Sequence, residues 1–280
     1  MQKAENTYIT VQDYLVSGET FQLVRDARLD LLKTVPAPKP EELHSYYESP
    51  DYISHTDAKQ GLMAGLYQWV KKWSIQKKIR LIRAQNKGVG SLLDVGAGTG
   101  DFLRAAEKRG WDVSGMEPNK HAARLASKKN IELKDSLTDF EGKQFDVVTL
   151  WHVLEHMPNL KETVCQLSAL VKPGGNLIVA VPNYKSYDAR YYAEFWAAYD
   201  APRHLWHFSK KAIVQLFEGK FRLEKVAPMI FDSFYVSLLS EKYKTGSSFS
   251  IRALWIGLKS NGLAYRSKEY SSHIYCLKKS

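Results

Sequence analysis

A chain of 280 residues that is 44% hydrophobic and 12% aromatic can bury one large core, or one domain with a substantial appendage. Its formal charge of +10 admits a polyanion-binding surface, while its two cysteines, Cys165 and Cys276, exclude a disulfide framework and a cysteine zinc site. No stretch approaches the about 18 uninterrupted apolar residues of a membrane helix, and Met1-Gln2-Lys3-Ala4 does not open a signal peptide, so a soluble, cytoplasmic protein is expected.

Residues 8–16 and 20–25 alternate around Ser17-Gly18-Glu19, the pattern of a β-hairpin, and Pro36-Ala37-Pro38-Lys39-Pro40 then breaks the chain as a stiff linker. Residues 1–57 are read as an N-terminal hairpin appendage and 58–280 as the main domain. Residues 59–85 have helical apolar spacing, with Trp69, Val70, Trp73, Ile79 and Ile82 toward the core. The acid-free run of cations from Lys71 to Lys87 then lines the solvated face of that helix, or binds a polyanion.

From there short β-branched runs alternate with amphipathic ones. Strands are expected at 91–95, 112–116, 131–133, 145–150, 176–181, 221–226 and 272–277, and helices at 101–108, 120–129 and 160–171. This rhythm requires crossover connections, hence an α/β, Rossmann-like, mostly parallel seven-stranded sheet with helices on both faces. An aromatic insert at 183–208 and an aromatic, basic stretch at 230–270 read as cap elements.

Ligands in such sheets sit beyond the carboxyl ends of the strands. There the first strand runs into Asp94-Val95-Gly96-Ala97-Gly98-Thr99-Gly100, and the second ends at Glu117-Pro118. Glycines let a turn tighten and a ligand approach the backbone; a carboxylate at the next strand end can accept both hydroxyls of a ribose. Dinucleotide-binding folds share that much. The spacing Gly-x-Gly-x-Gly, with Asp94 just before it, points elsewhere, because an acid repels a pyrophosphate and attracts a cationic ligand.

These residues, with Asp135-Ser136 and the run from Phe145 to His156, resemble the ordered motifs of class I S-adenosylmethionine-dependent methyltransferases, in the branch that includes ubiquinone-biosynthesis O-methyltransferases. The resemblance spans roughly residues 60–230 and implies S-adenosylmethionine as cofactor, with S-adenosylhomocysteine as its product. Carried over residue by residue, it implies that Asp94, Gly96, Ala97 and Gly98 hold the methionine moiety. Glu117 and Pro118 would flank the ribose, Asp135 and Ser136 would meet the adenine, and Leu150 and Trp151 would close the pocket. Ser272 onward resembles the family's antiparallel last strand, and Tyr47 and Tyr52 its cofactor-covering segment.

Methyl transfer needs alignment, exclusion of water and, for a hydroxyl or amine acceptor, removal of a proton. His152 and His156 follow the fourth strand; Asp200, Arg203 and His204 follow the aromatic insert. His204 is the preferred base, with Arg203 helping to keep it neutral; His156, Asp200 and His152 are the other candidates. Tyr191, Tyr192, Trp196 and Arg203 read as lid or acceptor-pocket wall, although the aromatics could equally bury the cap's own core. His152-x-x-Glu155-His156 has metal-like spacing, but no metal is expected, since the histidine stands where the related O-methyltransferases commonly carry a glutamate. The acceptor is read as a small molecule. An RNA substrate and a non-catalytic cofactor-binding role remain alternatives, and no motif reports on oligomeric state.

Overall fold

The computed structural model describes residues 6–39, 42, 44–47, 62–247 and 250–280. It opens with β1 (Thr7–Gln12), β2 (Thr20–Asp26) and β3 (Leu31–Val35). Asp13 shapes the turn after β1, because its carboxylate accepts the backbone N–H groups of Leu15, Val16 and Ser17. The expected hairpin is therefore present but larger, since β3 continues the antiparallel ladder.

A long helix, α1 (Leu62–Asn86), precedes the central sheet. Ile79 and Ile82 are buried, and the face they define turns Trp69 outward, 58% exposed, so Trp69 does not join the core as expected. The cations of α1 also divide. Lys72, Lys77, Arg80 and Arg83, with Lys87 just past the helix, face solvent, whereas Lys71 pairs with Asp101 at 2.7 Å and Lys78 turns inward.

The alternation that follows is β4 (Ser91–Val95), α2 (Asp101–Glu107), β5 (Asp112–Met116), α3 (Lys120–Ser127), β6 (Phe145–Trp151), α4 (Leu160–Leu170) and β7 (Val171–Pro182). Strands β4 and β6 are buried almost throughout, as expected where helices cover both faces of a parallel sheet. After β7 come α5 (Tyr187–Tyr192), the two-residue β8 (Trp206–His207), α6 (Lys210–Phe217), β9 (Phe221–Pro228), α7 (Asp232–Thr245), α8 (Ile251–Ser267) and β10 (Ser272–Lys279).

The central sheet has the order β5-β4-β6-β7-β10-β9, with β10 antiparallel to both its neighbours. It has six strands rather than the expected seven. Residues 131–133 are too short to register a ladder; that segment makes one isolated bridge, Met116 to Lys134, at the β5 edge.

Strand β8 pairs with β3, so the N-terminal sheet is completed by a piece of the cap. Val11, Phe21, Leu23 and Leu32 of that sheet share one apolar cluster with Tyr184, Tyr192, Trp196 and Tyr199. Appendage and cap therefore pack as one body beside the central sheet.

Candidate functional site

The turn after β4 is held entirely by local bonds. The N–H groups of Gly96 and Ala97 both donate to the Met116 carbonyl at the end of β5, at 2.8 and 2.9 Å. Glu117, one residue on, receives the Gly98 N–H on one carboxylate oxygen at 2.8 Å and the Asn119 N–H on the other at 2.9 Å. Gly96 and Gly98 have φ of 70° and 55°, a region costly for side chains. A Cβ at Gly96 would stand 2.4 Å from Val153, whereas one at Gly98 would meet nothing within 4 Å. The first glycine is required by packing; over the second the backbone faces open space that a ligand can approach.

Below the turn, Asp94 is buried and its carboxylate accepts the Thr149 hydroxyl at 2.6 Å. Burial pushes this carboxyl up to about 7, with Glu117 adding to the effect while Thr149 and Lys78 oppose it. The Lys78 ammonium stands 4.3 Å from the Trp151 ring centre. Burial pulls its pKa down against the attraction of Asp94 and Asp232. Sequence reasoning put Lys78 on a solvated face. Its inward turn has no signature in composition, because helical spacing does not say which flank of the apolar stripe bends toward a strand end.

The other cofactor-side expectations divide. Glu117, Pro118 and the glycine turn lie together at the ends of β4 and β5. Trp151 stands edge-on to Phe102, and its Nε1 has no hydrogen-bond partner among the described residues. Leu150 is wholly within the core, so only its backbone is available to a ligand. Asp135 is exposed; the Ser136 side chain caps the following turn by accepting the Thr138 N–H, within a capping box completed by Asp139. Tyr52 and the Tyr47 side chain lie outside the described residues.

An acid and an ammonium at one end, a strand-end carboxylate in the middle and open space over Gly98 fit an amino-acid-bearing nucleoside such as the implied cofactor.

The second group of side chains forms where β6 ends. His152, at φ 58°, kinks the chain, and a short 3₁₀ turn, Leu154–His156, follows. The cap is fastened to that turn: Leu205 N–H donates to the Glu155 carbonyl at 2.8 Å, and the Trp206 indole to the Met157 carbonyl at 2.7 Å. This brings His204 to His156, ring centres 4.6 Å apart, with Asp200 beside them.

Glu155 lies fully buried at the middle of this group. His152 Nδ1 is 3.3 Å from Glu155 Oε1, an ion-pair distance, while neither Glu155 oxygen has a partner of hydrogen-bond geometry among the described residues. His152 Nε2 is 3.1 Å from Asp232, the first residue of α7. Burial disfavours the charged imidazole, but the two carboxylates win and raise His152 to about 10. That corrects its candidacy as a base, since an imidazolium has no lone pair to accept a proton.

His156 goes the other way. Burial and the neighbouring His204 depress it to about 4, so it is neutral near pH 7. His156 Nδ1 faces the Arg203 carbonyl at 3.0 Å and His204 Nδ1 the Ala198 carbonyl at 2.9 Å. A carbonyl only accepts, so in each ring Nδ1 carries a proton and Nε2 is the nitrogen left to face the site.

Arg203 does not face an acceptor pocket. Its guanidinium is 1% exposed, bonded to Asp200 at 2.7 Å, to Asp13 at 2.8 Å and to the Tyr46 carbonyl at 3.1 Å. Trp196 donates to Asp188, and Tyr192 is buried among the cap's aromatics. Of the expected lid residues whose side chains are described, only Tyr191 reaches the surface, where its hydroxyl accepts a hydrogen bond from the Arg252 guanidinium at 2.7 Å. Lys78, Thr149 and Asp232 were absent from the expected site, and Glu155 entered it only through a metal-like spacing that was set aside; Asp232 lies 80 residues from His152, and only the fold joins them.

Glu155, His156 and His204 each bring one ligand atom to within 4.8 Å of the others. Two imidazoles and a carboxylate would suit zinc better than magnesium. His152 Nδ1, 3.3 Å from Glu155 Oε1, would share that carboxylate with any such ion.

The family described as "Methyltransferase domain" matches residues 71–220. A ubiquinone biosynthesis O-methyltransferase of Alkalilimnicola ehrlichii is 33% identical over 102 residues, covering 33% of this chain and 41% of that protein. Its counterpart in Azoarcus sp. is 33% identical over 108 residues, 34% of this chain and 46% of that protein. The chain thus spans less than half the length of these curated relatives. Among solved structures, the 1,6-didemethyltoxoflavin-N1-methyltransferase of Burkholderia thailandensis superposes with a TM-score of 0.54 at 14% identity, over 96% of this chain and 99% of that one. A SAM-dependent methyltransferase from Archaeoglobus fulgidus gives 0.50 at 18% identity, over 73% and 93%. These likenesses show the fold.

Proposed function

Because the chain belongs to the methyltransferase-domain family, with the class I fold of S-adenosylmethionine-dependent enzymes, we propose that it moves a methyl group from S-adenosylmethionine to a hydroxyl or amine of a small molecule. The observation that carries this reading is the glycine turn, Asp94 and Glu117 at the carboxyl ends of β4 and β5, with the His156–His204 pair beyond the end of the adjacent β6. When bound, the cofactor supplies an electrophilic methyl on a sulfonium. Asp94 and Lys78 then answer the ammonium and carboxylate of its amino-acid end, and Glu117 accepts the ribose hydroxyls.

His204 is the preferred base, through Nε2. Asp200, whose nearer oxygen is 3.9 Å from that nitrogen, stabilises the imidazolium that forms. His156 is the alternative, and burial, which depresses its basicity well below that of a free imidazole, makes it a weak one. Arg203 acts on Asp200 rather than on the acceptor. No step passes through a metal. The reaction belongs in the cytoplasm on this reading: neither cysteine is in a disulfide, and among the described residues no helix is long and apolar enough to cross a membrane. The names of the sequence relatives favour an oxygen acceptor.

The four exposed cations of α1, with Lys87 just past it, favour RNA as the rival acceptor. The test is turnover of labelled cofactor against a panel of phenols, amines and RNA. With an acceptor in hand, His204→Gln should lower kcat by about 10²–10⁴-fold and leave S-adenosylhomocysteine affinity unchanged. Unchanged kcat in both the His204 and His156 variants would remove histidine base catalysis. Methylation confined to RNA would remove the small-molecule reading.

A further inference from the structure

Helix α8 buries Ala253, Ile256, Gly257, Ser260 and Ala264 against its neighbours, an ordinary inward face. Its opposite face is unusual. Ile251, Leu254, Trp255, Leu258 and Tyr265 recur at helical spacing and are all exposed, Ile251 by 75%, Trp255 by 63% and Tyr265 by 72%. A scattered exposed apolar residue needs no explanation, whereas a stripe over two full turns from Ile251 to Leu258, resumed at Tyr265 after Gly262, does. Its flank is equally regular. Arg252, Lys259 and Arg266 follow one another at seven-residue intervals, forming a row beside the stripe, and the helix contains no aspartate or glutamate. Lys242 and Lys244, in the last turn of α7, and Lys268, just past α8, add to the same charge.

From this arrangement we infer that the outer face of α8 docks on an anionic membrane surface, lying in the plane of the interface with its apolar stripe among the acyl chains. The chemistry selects that partner. A tryptophan and a tyrosine sit within the stripe, and such rings favour the boundary between hydrocarbon and headgroups. The basic row lies where the headgroup phosphates would be, each cation near such a surface contributing about fivefold in affinity. A second copy of the chain is a poorer occupant. Pairing stripe to stripe would bring three like charges together on each side, and the one acid near them is the buried Glu241 of α7, 3.8 Å from Arg252. Docking would also bear on the site, because α7, whose Ser233 bonds the Gly257 carbonyl of α8, begins at Asp232 and holds His152.

Co-sedimentation of the full chain with sucrose-loaded vesicles of phosphatidylcholine, with and without phosphatidylserine, tests the inference. Binding should be at least about tenfold stronger with phosphatidylserine, should weaken as salt rises, and should fall about tenfold or more in Leu258→Asp and in Trp255→Ser. Both side chains are exposed, so circular dichroism and S-adenosylhomocysteine affinity should match the wild type. Arg252→Glu combined with Lys259→Glu should remove the lipid preference. No sedimentation with phosphatidylserine vesicles, or equal binding by wild type and Leu258→Asp, would overturn the inference. So would a concentration-dependent dimer that Leu258→Asp dissolves, found without vesicle binding.

Discussion

The two ends of the candidate site are built by different means. At the cofactor end the groups lie in one short run from Asp94 to Gly100, with Glu117 one strand on, and backbone N–H donors fix them. At the acceptor end Asp13, His152, Glu155, Asp200, Arg203, His204 and Asp232 arrive from separate parts of the chain, and charge holds most of them together. A backbone cradle survives the loss of a side chain. A buried charge cluster does not, because each member depends on its neighbour for the solvation that water no longer provides.

The largest expected effect therefore lies at the acceptor end. Arg203→Ala should destabilise the fold by about 3–5 kcal/mol, the usual cost of removing one partner from a buried ion pair, since Asp13 and Asp200 would be left facing each other. Urea unfolding measures it, and a loss below about 1 kcal/mol would mean that the cluster is not what joins appendage to cap.

Glu117→Ala should be milder and of another kind. It should weaken S-adenosylhomocysteine binding by about 1–3 kcal/mol by titration calorimetry, with little change in unfolding midpoint. Wild-type affinity with an intact fold would detach the second strand end from the cofactor.

A subtler contrast concerns pH. With Asp94 at about 7 in the free protein, its charged form grows as pH rises, and the cationic end of the cofactor prefers that form. Affinity should climb by up to about tenfold per unit below pH 7 and level off above it, and Asp94→Asn should flatten the curve. A wild-type profile already flat between pH 5.5 and about 8 would show that Asp94 stays charged throughout. The smallest expected effect is none: dialysis against a chelator should leave turnover unchanged, and loss restored by zinc would reassign Glu155, His156 and His204 as ligands.

How much of this was legible follows the same division. Strands β4 and β5 were predicted with their observed bounds, and the turn between β4 and α2 with its neighbouring acid was plain, because a backbone cradle is written in consecutive residues. Residues 131–133 were misread as a strand because their alternation is real but too short to make a ladder. The imidazolium character of His152 was not visible, since its partner Asp232 is distant in sequence. Arg203 was assigned to the acceptor for a related reason: nothing in the run from Asp200 to His204 reveals that Asp13 waits on the other side.

The pairing of β3 with β8 also sets an order of events. Thr34 donates its hydroxyl to the His204 carbonyl across 170 residues of chain, whereas β4, β5 and β6 meet through short crossovers. Contacts of low sequence separation close sooner, because less chain entropy is lost before they form. During synthesis the N-terminal strands must wait, unpaired along β3, until the cap has been made. The cofactor cradle can thus exist before His204 reaches it, and a newly made chain would acquire the capacity to bind ahead of the capacity to react.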